Sequence, residues 1–213
     1  MNVPSIGRTV IIGDSYSTFE GHIPKGNDFW YSKSVHKDNG VLDVGLTWWY
    51  KLFDKVDGTL VLNESWSGAP ICHTGYNSQD ASFKSYVTRV DKLICDGFFE
   101  REKIDTVLVF GGTNDSWAGS PLGEENSTDL YCVRPAITYL ARRLSLVSPT
   151  PRVIFIINPI IKQEITETFY SVCKQFDAEA LLLSPPDINE GHPTALGMAD
   201  ICRDVYNYLA NIQ

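Results

Sequence analysis

The sequence predicts a three-layer α/β/α fold around a doubly wound parallel sheet. Two observations carry this: five short β-branched apolar runs that are continuous rather than alternating, and stretches of helical spacing that separate them. A strand covered by helices on both faces has no polar face with which to alternate. Regular βα succession in turn implies right-handed crossovers that place helices on both sides of the sheet.

In chain order, the predicted strands cover residues 9–12, 59–62, 106–110, 153–157 and 180–183. Between them, Trp48, Leu52, Phe53 and Val56 mark one helical face, Tyr86, Val90, Leu93 and Ile94 a second, and Ile137, Leu140, Ala141, Leu144 and Val147 a third. Residues 164–176 and 195–209 supply two more helices. Two connections, 18–45 and 116–129, are longer than the scaffold needs, and both follow the C-terminal end of a strand. Ligands bind at that edge of open α/β sheets, so both loops are expected to wall a pocket. With no repeat, low-complexity tract or linker, residues 1–213 read as one domain.

Composition narrows the function. A net charge of −8 repels a phosphate backbone, and no run of Lys or Arg reverses that field, so no nucleic-acid partner is expected. No stretch approaches the roughly 20 apolar residues of a membrane helix. The opening Met1-Asn2-Val3-Pro4-Ser5 lacks the charged and apolar regions of a signal peptide. The chain therefore reads as soluble and cytoplasmic as it stands, although a chain that had lost its leader would read the same way. Five scattered cysteines without a C-x-x-C pair suit reduced thiols. Four histidines, His22, His36, His73 and His192, lack metal-ligand spacing, so neither a metal nor a cofactor is expected. No pattern specifies an oligomeric state.

Four polar turns fall where predicted strands one, two, three and five end. The first is Gly13-Asp14-Ser15-Tyr16-Ser17, which puts a serine at the ligand-binding edge; alone, it reads equally as a turn with a helix N-cap. The second is Asn63-Glu64-Ser65-Trp66-Ser67-Gly68, ending in a glycine whose backbone can approach a ligand closely. The third is Gly111-Gly112-Thr113-Asn114-Asp115, where the Asn114 amide can donate into the crevice that receives Ser15. The fourth, Asp187-Ile188-Asn189-Glu190-Gly191-His192-Pro193-Thr194, brings a histidine to the same edge just before the last helix.

These four blocks, in this order, resemble the SGNH family, also called GDSL-type hydrolases, an esterase and lipase group. The resemblance spans Gly13 to Pro193. It implies a flavodoxin-like five-stranded parallel sheet, in agreement with the βα reading. It also implies Ser15 as nucleophile, His192 as general base, and an oxyanion hole made by the backbone N–H of Ser15, Gly68 and the side chain of Asn114. The chemistry fits the residue types: an imidazole takes the hydroxyl proton and returns it to the leaving alkoxide, and fixed donors stabilise the charge that develops on the carbonyl oxygen.

The pattern departs from the family in one place. The family's acid lies three residues before the histidine, and here that position is Asn189. Asp187, five residues before His192, is taken as the orienting acid. Glu190 is nearer in sequence, and a Ser–His dyad oriented by a backbone carbonyl or by Asn189 is the third arrangement. Asp115 reads as a turn or cap residue rather than a catalytic one. Tyr16, Trp66 and Trp117, with Trp30 near them, are candidate substrate-binding aromatics that would stack on a sugar or cover an acyl chain; the competing reading for each is partial core.

The sequence thus points to a serine-dependent hydrolase of carboxylic esters working through an acyl-enzyme on Ser15. A small-molecule or carbohydrate ester is the expected partner, with an O-acetyl ester preferred because the loops are aromatic and polar. A lysophospholipase or thioesterase is the alternative if the crevice is a long apolar channel. A catalytically silent binding module follows if the missing acid is decisive. A flavin or nucleotide binder would need a phosphate-cradling first loop, where Asp14 instead places a carboxylate.

Overall fold

The computed structural model describes residues 3–211. Strand β1 (Ser5–Gly13) is followed by α1 (Trp48–Phe53), β2 (Asp57–Ser65), α2 (Tyr86–Cys95), α3 (Phe98–Glu102) and β3 (Thr106–Gly111). Then come α4 (Thr113–Ala118), α5 (Val133–Ser145), β4 (Arg152–Ile157), α6 (Gln163–Phe176) and β5 (Glu179–Leu182). A short hairpin, β6 (Ile188–Asn189) and β7 (His192–Pro193), leads into α7 (Ala195–Asn211). The five longer strands form one parallel sheet in the order β2-β1-β3-β4-β5, the flavodoxin-like arrangement.

Alternation of side chains across the pleat divides the interior into two cores. Val10, Ile12, Val107, Val109, Phe155 and Ile157 face α2, α5 and α6. Ile11, Leu108, Phe110, Ile154 and Ile156 face α1 and α7. Every residue of β3 is buried, which is why that strand reads as a continuous apolar run. Burying each such side chain contributes about 1.5–3 kcal/mol, so the central strands anchor the fold. Helix α7 answers with Met198, Ile201, Cys202, Val205 and Leu209, all buried and at helical spacing.

The departures from expectation are local. Val56 and Val147 lie just past the ends of α1 and α5, yet both remain in the core because the chain continues against its own last turn, through Val56 N–H to Leu52 O at 3.1 Å and Val147 N–H to Leu144 O at 3.3 Å. Strand β5 ends at Leu182, although Leu183 N–H still reaches Ile157 O at 3.0 Å. Helices α3 and α4 have 5 and 6 residues, too short for a period to emerge from the sequence. As a result, the expected loop 116–129 begins inside α4.

Register brings the strand ends level. Gly13 pairs with Ser65 on one side and Phe110 on the other, and Gly111 with Ile157. Glycine is required at 111 by proximity: a Cβ there would lie 2.6 Å from the buried Tyr86 ring, whose hydroxyl donates to Phe110 O at 2.6 Å. Among the described residues, no helix is long and apolar enough to cross a membrane.

Candidate active site

Past Gly13 the chain enters a single 3-10 turn, Ser15–Ser17, capped by Asp14, whose Oδ1 accepts the Tyr16 N–H at 3.0 Å. This turn points Ser15 along the sheet edge, where it is 4% exposed, and its Oγ lies 2.9 Å from Nε2 of His192. His192 reaches that point from a two-residue hairpin turn in which Glu190 and Gly191 both take left-handed backbone, φ 49° and 76°. The turn folds the Glu190 carbonyl back to within 3.1 Å of Nδ1. One tautomer satisfies both contacts: Nδ1–H donates to the carbonyl and Nε2 accepts from the Ser15 hydroxyl.

The 18–45 segment straps this hairpin in place. Tyr31 donates from its hydroxyl to Pro193 O at 2.7 Å, and Asn39 Nδ2 donates to Asn189 O and His192 O, each at 3.0 Å. Tyr16 does the same from the nucleophile turn, donating to Gly191 O at 2.6 Å. At 1% exposure, packed edge-on to Phe110, Tyr16 is a core fastener rather than a substrate-binding surface. Its apolar ring completes the core while its hydroxyl has to find a partner, and the hairpin carbonyl supplies one.

Asp187 is not the partner of His192. Its carboxylate accepts the Thr194 hydroxyl, and its carbonyl accepts the Thr194 N–H at 3.0 Å, so it fastens the residue whose hydroxyl in turn caps the start of α7 at Gly197 N–H, 3.3 Å away. Glu190 contributes its carbonyl, and its side chain is exposed. Asn189 opposes His192 across the β6–β7 ladder, but the ring's partner is the Glu190 carbonyl. Asp187→Asn is therefore expected to leave ester hydrolysis within about twofold of wild type while lowering stability by about 0.5–1.5 kcal/mol, readable from kcat/KM and a thermal melt.

The other two turns meet the first through Asn114. Its Nδ2 donates to Ala69 O at 3.1 Å and lies 3.4 Å from Asp14 Oδ2, while its Oδ1 accepts the Tyr76 hydroxyl at 3.0 Å. Gly68 precedes that Ala69 with φ 71°, a conformation suited to glycine. The stretch after it is pinned by buried Asp115, whose carboxylate accepts Ile71 N–H at 2.8 Å and Cys72 N–H at 3.0 Å; rather than capping its own turn, Asp115 lies inside α4 and holds a loop more than 40 residues away. Beneath, buried Arg89 donates to Gly13 O at 3.1 Å and to Glu64 O, tying the ends of β1 and β2 together. Nothing in the sequence around Arg89 signals this, because its partners are backbone carbonyls on two distant strands.

The aromatics divide by role. Trp117 is 40% exposed, with its ring against Gly191 and edge-on to His192 at 6.1 Å. Trp66 is half-buried and packs against the core, donating from Nε1 to Asp28 Oδ2 at 3.0 Å and meeting Phe83 edge-on, which is the partial-core reading rather than a substrate surface. Trp30 lies flat between His192 and His36, with ring centroids 3.6 Å apart on each side and interplanar angles of 7° and 9°. Its neighbour in this stack, His36, carried no motif that marked it. Electrostatically, burial lowers His192 to about 4, against the raising effect of the Glu190 carbonyl bond, with a smaller lowering contribution from His36. Burial also raises Asp14 to about 7, opposed by its bond from Tyr16 N–H and by Arg89. A cavity of about 510 Å³ elsewhere, lined by Arg134, Glu164 and Glu167, gathers none of these groups.

The family model for GDSL-like lipase/acylhydrolase matches residues 8–209. The chain belongs to that family. It is accordingly an ester hydrolase of the GDSL type. A structure from Bacteroides uniformis described as a GDSL-like lipase is 37% identical, with a TM-score of 0.87, covering 96% of this chain and 96% of that one. One of the same description from Bacteroides ovatus is 36% identical, with a TM-score of 0.85, covering 97% of this chain and 99% of that one. An acetylxylan esterase from Geobacillus stearothermophilus shares the fold, with a TM-score of 0.58 at 12% identity, covering 98% and 96% of the two chains. Among curated proteins, none matches by sequence.

Proposed function

We propose that this GDSL-type hydrolase cleaves carboxylic esters through an acyl-enzyme on Ser15, using a Ser15–His192 dyad oriented by the Glu190 carbonyl, and that its substrate is a carbohydrate O-acetyl ester. The observation that carries the mechanism is the 2.9 Å contact from Ser15 Oγ to His192 Nε2 with Nδ1 committed to a carbonyl. His192 takes the hydroxyl proton as Oγ attacks the ester carbon. The tetrahedral intermediate then collapses, and Nε2–H passes that proton to the departing alkoxide. Water repeats the sequence on the acyl-enzyme, releasing the acid and restoring Ser15.

Three donors serve the oxyanion in this reading: Ser15 N–H, which opens its 3-10 turn and has no acceptor within it, Gly68 N–H, and Asn114 Nδ2. The substrate class rests on the aromatics at the rim. Tyr76 and Trp117 are 42% and 40% exposed, and each touches the polar site, Tyr76 through Asn114 and Trp117 beside His192. Exposed rings next to hydrogen-bonding groups suit the apolar face and hydroxyls of a sugar better than an extended acyl chain.

A dyad without a carboxylate has a distinct pH signature. With His192 lowered to about 4, the base is neutral and competent across the neutral range. Protonation removes the acceptor, so the acid limb of kcat/KM is expected to fall as pH drops through about 4, rather than through the ordinary histidine value near 6.5. A pH–rate profile on a short acyl ester that breaks near 6.5 would contradict the unpaired-imidazole reading.

The proposal is tested by treating the protein with a fluorophosphonate and mapping the adduct by peptide mass, alongside acetate release from an acetylated oligosaccharide and fatty-acid release from a lysophospholipid. An adduct on Ser15 with acetate release supports it. Labelling with only the lysolipid cleaved replaces the substrate class, and no adduct on folded protein removes the nucleophile.

A further inference from the structure

We infer that Trp30 is a positioning residue for His192: its indole holds the imidazole in the plane that keeps Nε2 on Ser15 Oγ and stabilises the imidazolium formed during the reaction. The inference rests on the dyad reading above and deepens it. A carbonyl on Nδ1 selects the tautomer, yet a single hydrogen bond leaves the ring free to tilt about it. A parallel face at 3.6 Å and 7° removes that freedom.

Trp30 is itself well anchored for this task. Thr18 Oγ1 accepts the Trp30 N–H at 2.9 Å and donates to Ser15 O at 3.0 Å, so one hydroxyl couples the tryptophan's backbone to the nucleophile's. On the far side, His36 lies flat against the same indole at 3.6 Å and closes a three-ring stack. The indole Nε1 is buried and has no hydrogen-bond partner among the described residues, so the ring is held by its faces rather than by its N–H. Charge gives the arrangement a chemical role. Neutral His192 stacks on indole by dispersion alone, whereas the imidazolium is also drawn to the negative π face. The preference is greater in the charged state, which is the condition for lowering a barrier rather than merely binding.

The test compares Trp30→Leu, which keeps an apolar side chain without a π face, with Trp30→Phe, which restores one. Steady-state kinetics on a short acyl ester and the fluorophosphonate inactivation rate are measured, with thermal melts to establish folding. The expected result is a loss of about tenfold in both kcat and inactivation rate for Trp30→Leu, KM within about twofold, and recovery of most of that loss in Trp30→Phe. A folded Trp30→Leu with kcat within twofold of wild type overturns the inference. So does an equal loss in both variants carried by KM, which would make Trp30 a substrate contact. If wild type itself neither turns over nor labels, the hydrolase reading fails separately, and the positioning role is read from the His192 ring resonances by NMR. Loss of their indole ring-current shift with altered Nδ1–H protection in Trp30→Leu upholds it, and unchanged resonances overturn it.

Discussion

Ser15→Ala and His192→Ala are each expected to lower kcat/KM for a short acyl ester by about 10³–10⁶-fold, with the double variant no worse than the poorer single one. The two groups act as one unit. The hydroxyl is a weak nucleophile unless Nε2, 2.9 Å away, receives its proton, and the imidazole has nothing to activate once the hydroxyl is gone. Residual turnover would come from the oxyanion donors alone. Ser15→Ala removes one side-chain oxygen and leaves the carbonyl that Thr18 Oγ1 bonds, so its fold is retained. His192→Ala opens a gap beside Trp30 and costs stability as well, so its melt has to be measured with its kinetics. A His192→Ala variant retaining a tenth of wild-type activity would place the base elsewhere.

Asn114→Ala is expected to cost about 10²–10³ in kcat with a small change in KM, because the amide's value lies in the charge that develops during attack. The side chain is 5% exposed, and its orientation is set by the Tyr76 hydroxyl on Oδ1 and by Ala69 O on Nδ2. Its remaining contact, 3.4 Å to Asp14 Oδ2, is long, and an oxyanion in reach of Nδ2 would compete with it on favourable terms. Burial raises Asp14 to about 7, which lessens the negative charge facing that oxyanion. The variant also leaves Ala69 O and the Tyr76 hydroxyl without their partner, a further cost of about 1–3 kcal/mol in stability. Tyr76→Phe separates the two effects: it keeps the amide and releases its orientation, so it should lie between wild type and Asn114→Ala in kcat.

The βα order was readable because parallel strands buried on both faces leave uninterrupted apolar runs, as β3 and β4 do. The residues proposed for the site could be grouped for a related reason. Strand ends of a parallel sheet share one edge, so Ser15, Gly68, Asn114 and His192 could be referred to that edge before any contact was known. What escaped was whatever depends on side-chain direction or on backbone partners. Asp187 is the acid expected from the sequence to orient His192, but its side chain is engaged by Thr194. Tyr16 was read as a substrate surface, and its hydroxyl instead reaches Gly191, 175 residues away.

The sequence by itself therefore determined the sheet, its covering helices and the edge at which Ser15, Gly68, Asn114 and His192 lie. These follow from periodicity and from residue type at strand ends. Only the tertiary structure decided what orients His192. A left-handed turn at Glu190 and Gly191 brings a main-chain carbonyl to Nδ1, and the 18–45 strap lays Trp30 on the ring. A backbone carbonyl is present at every residue and an aromatic is common in any loop, so neither leaves a mark in the sequence until the chain has folded.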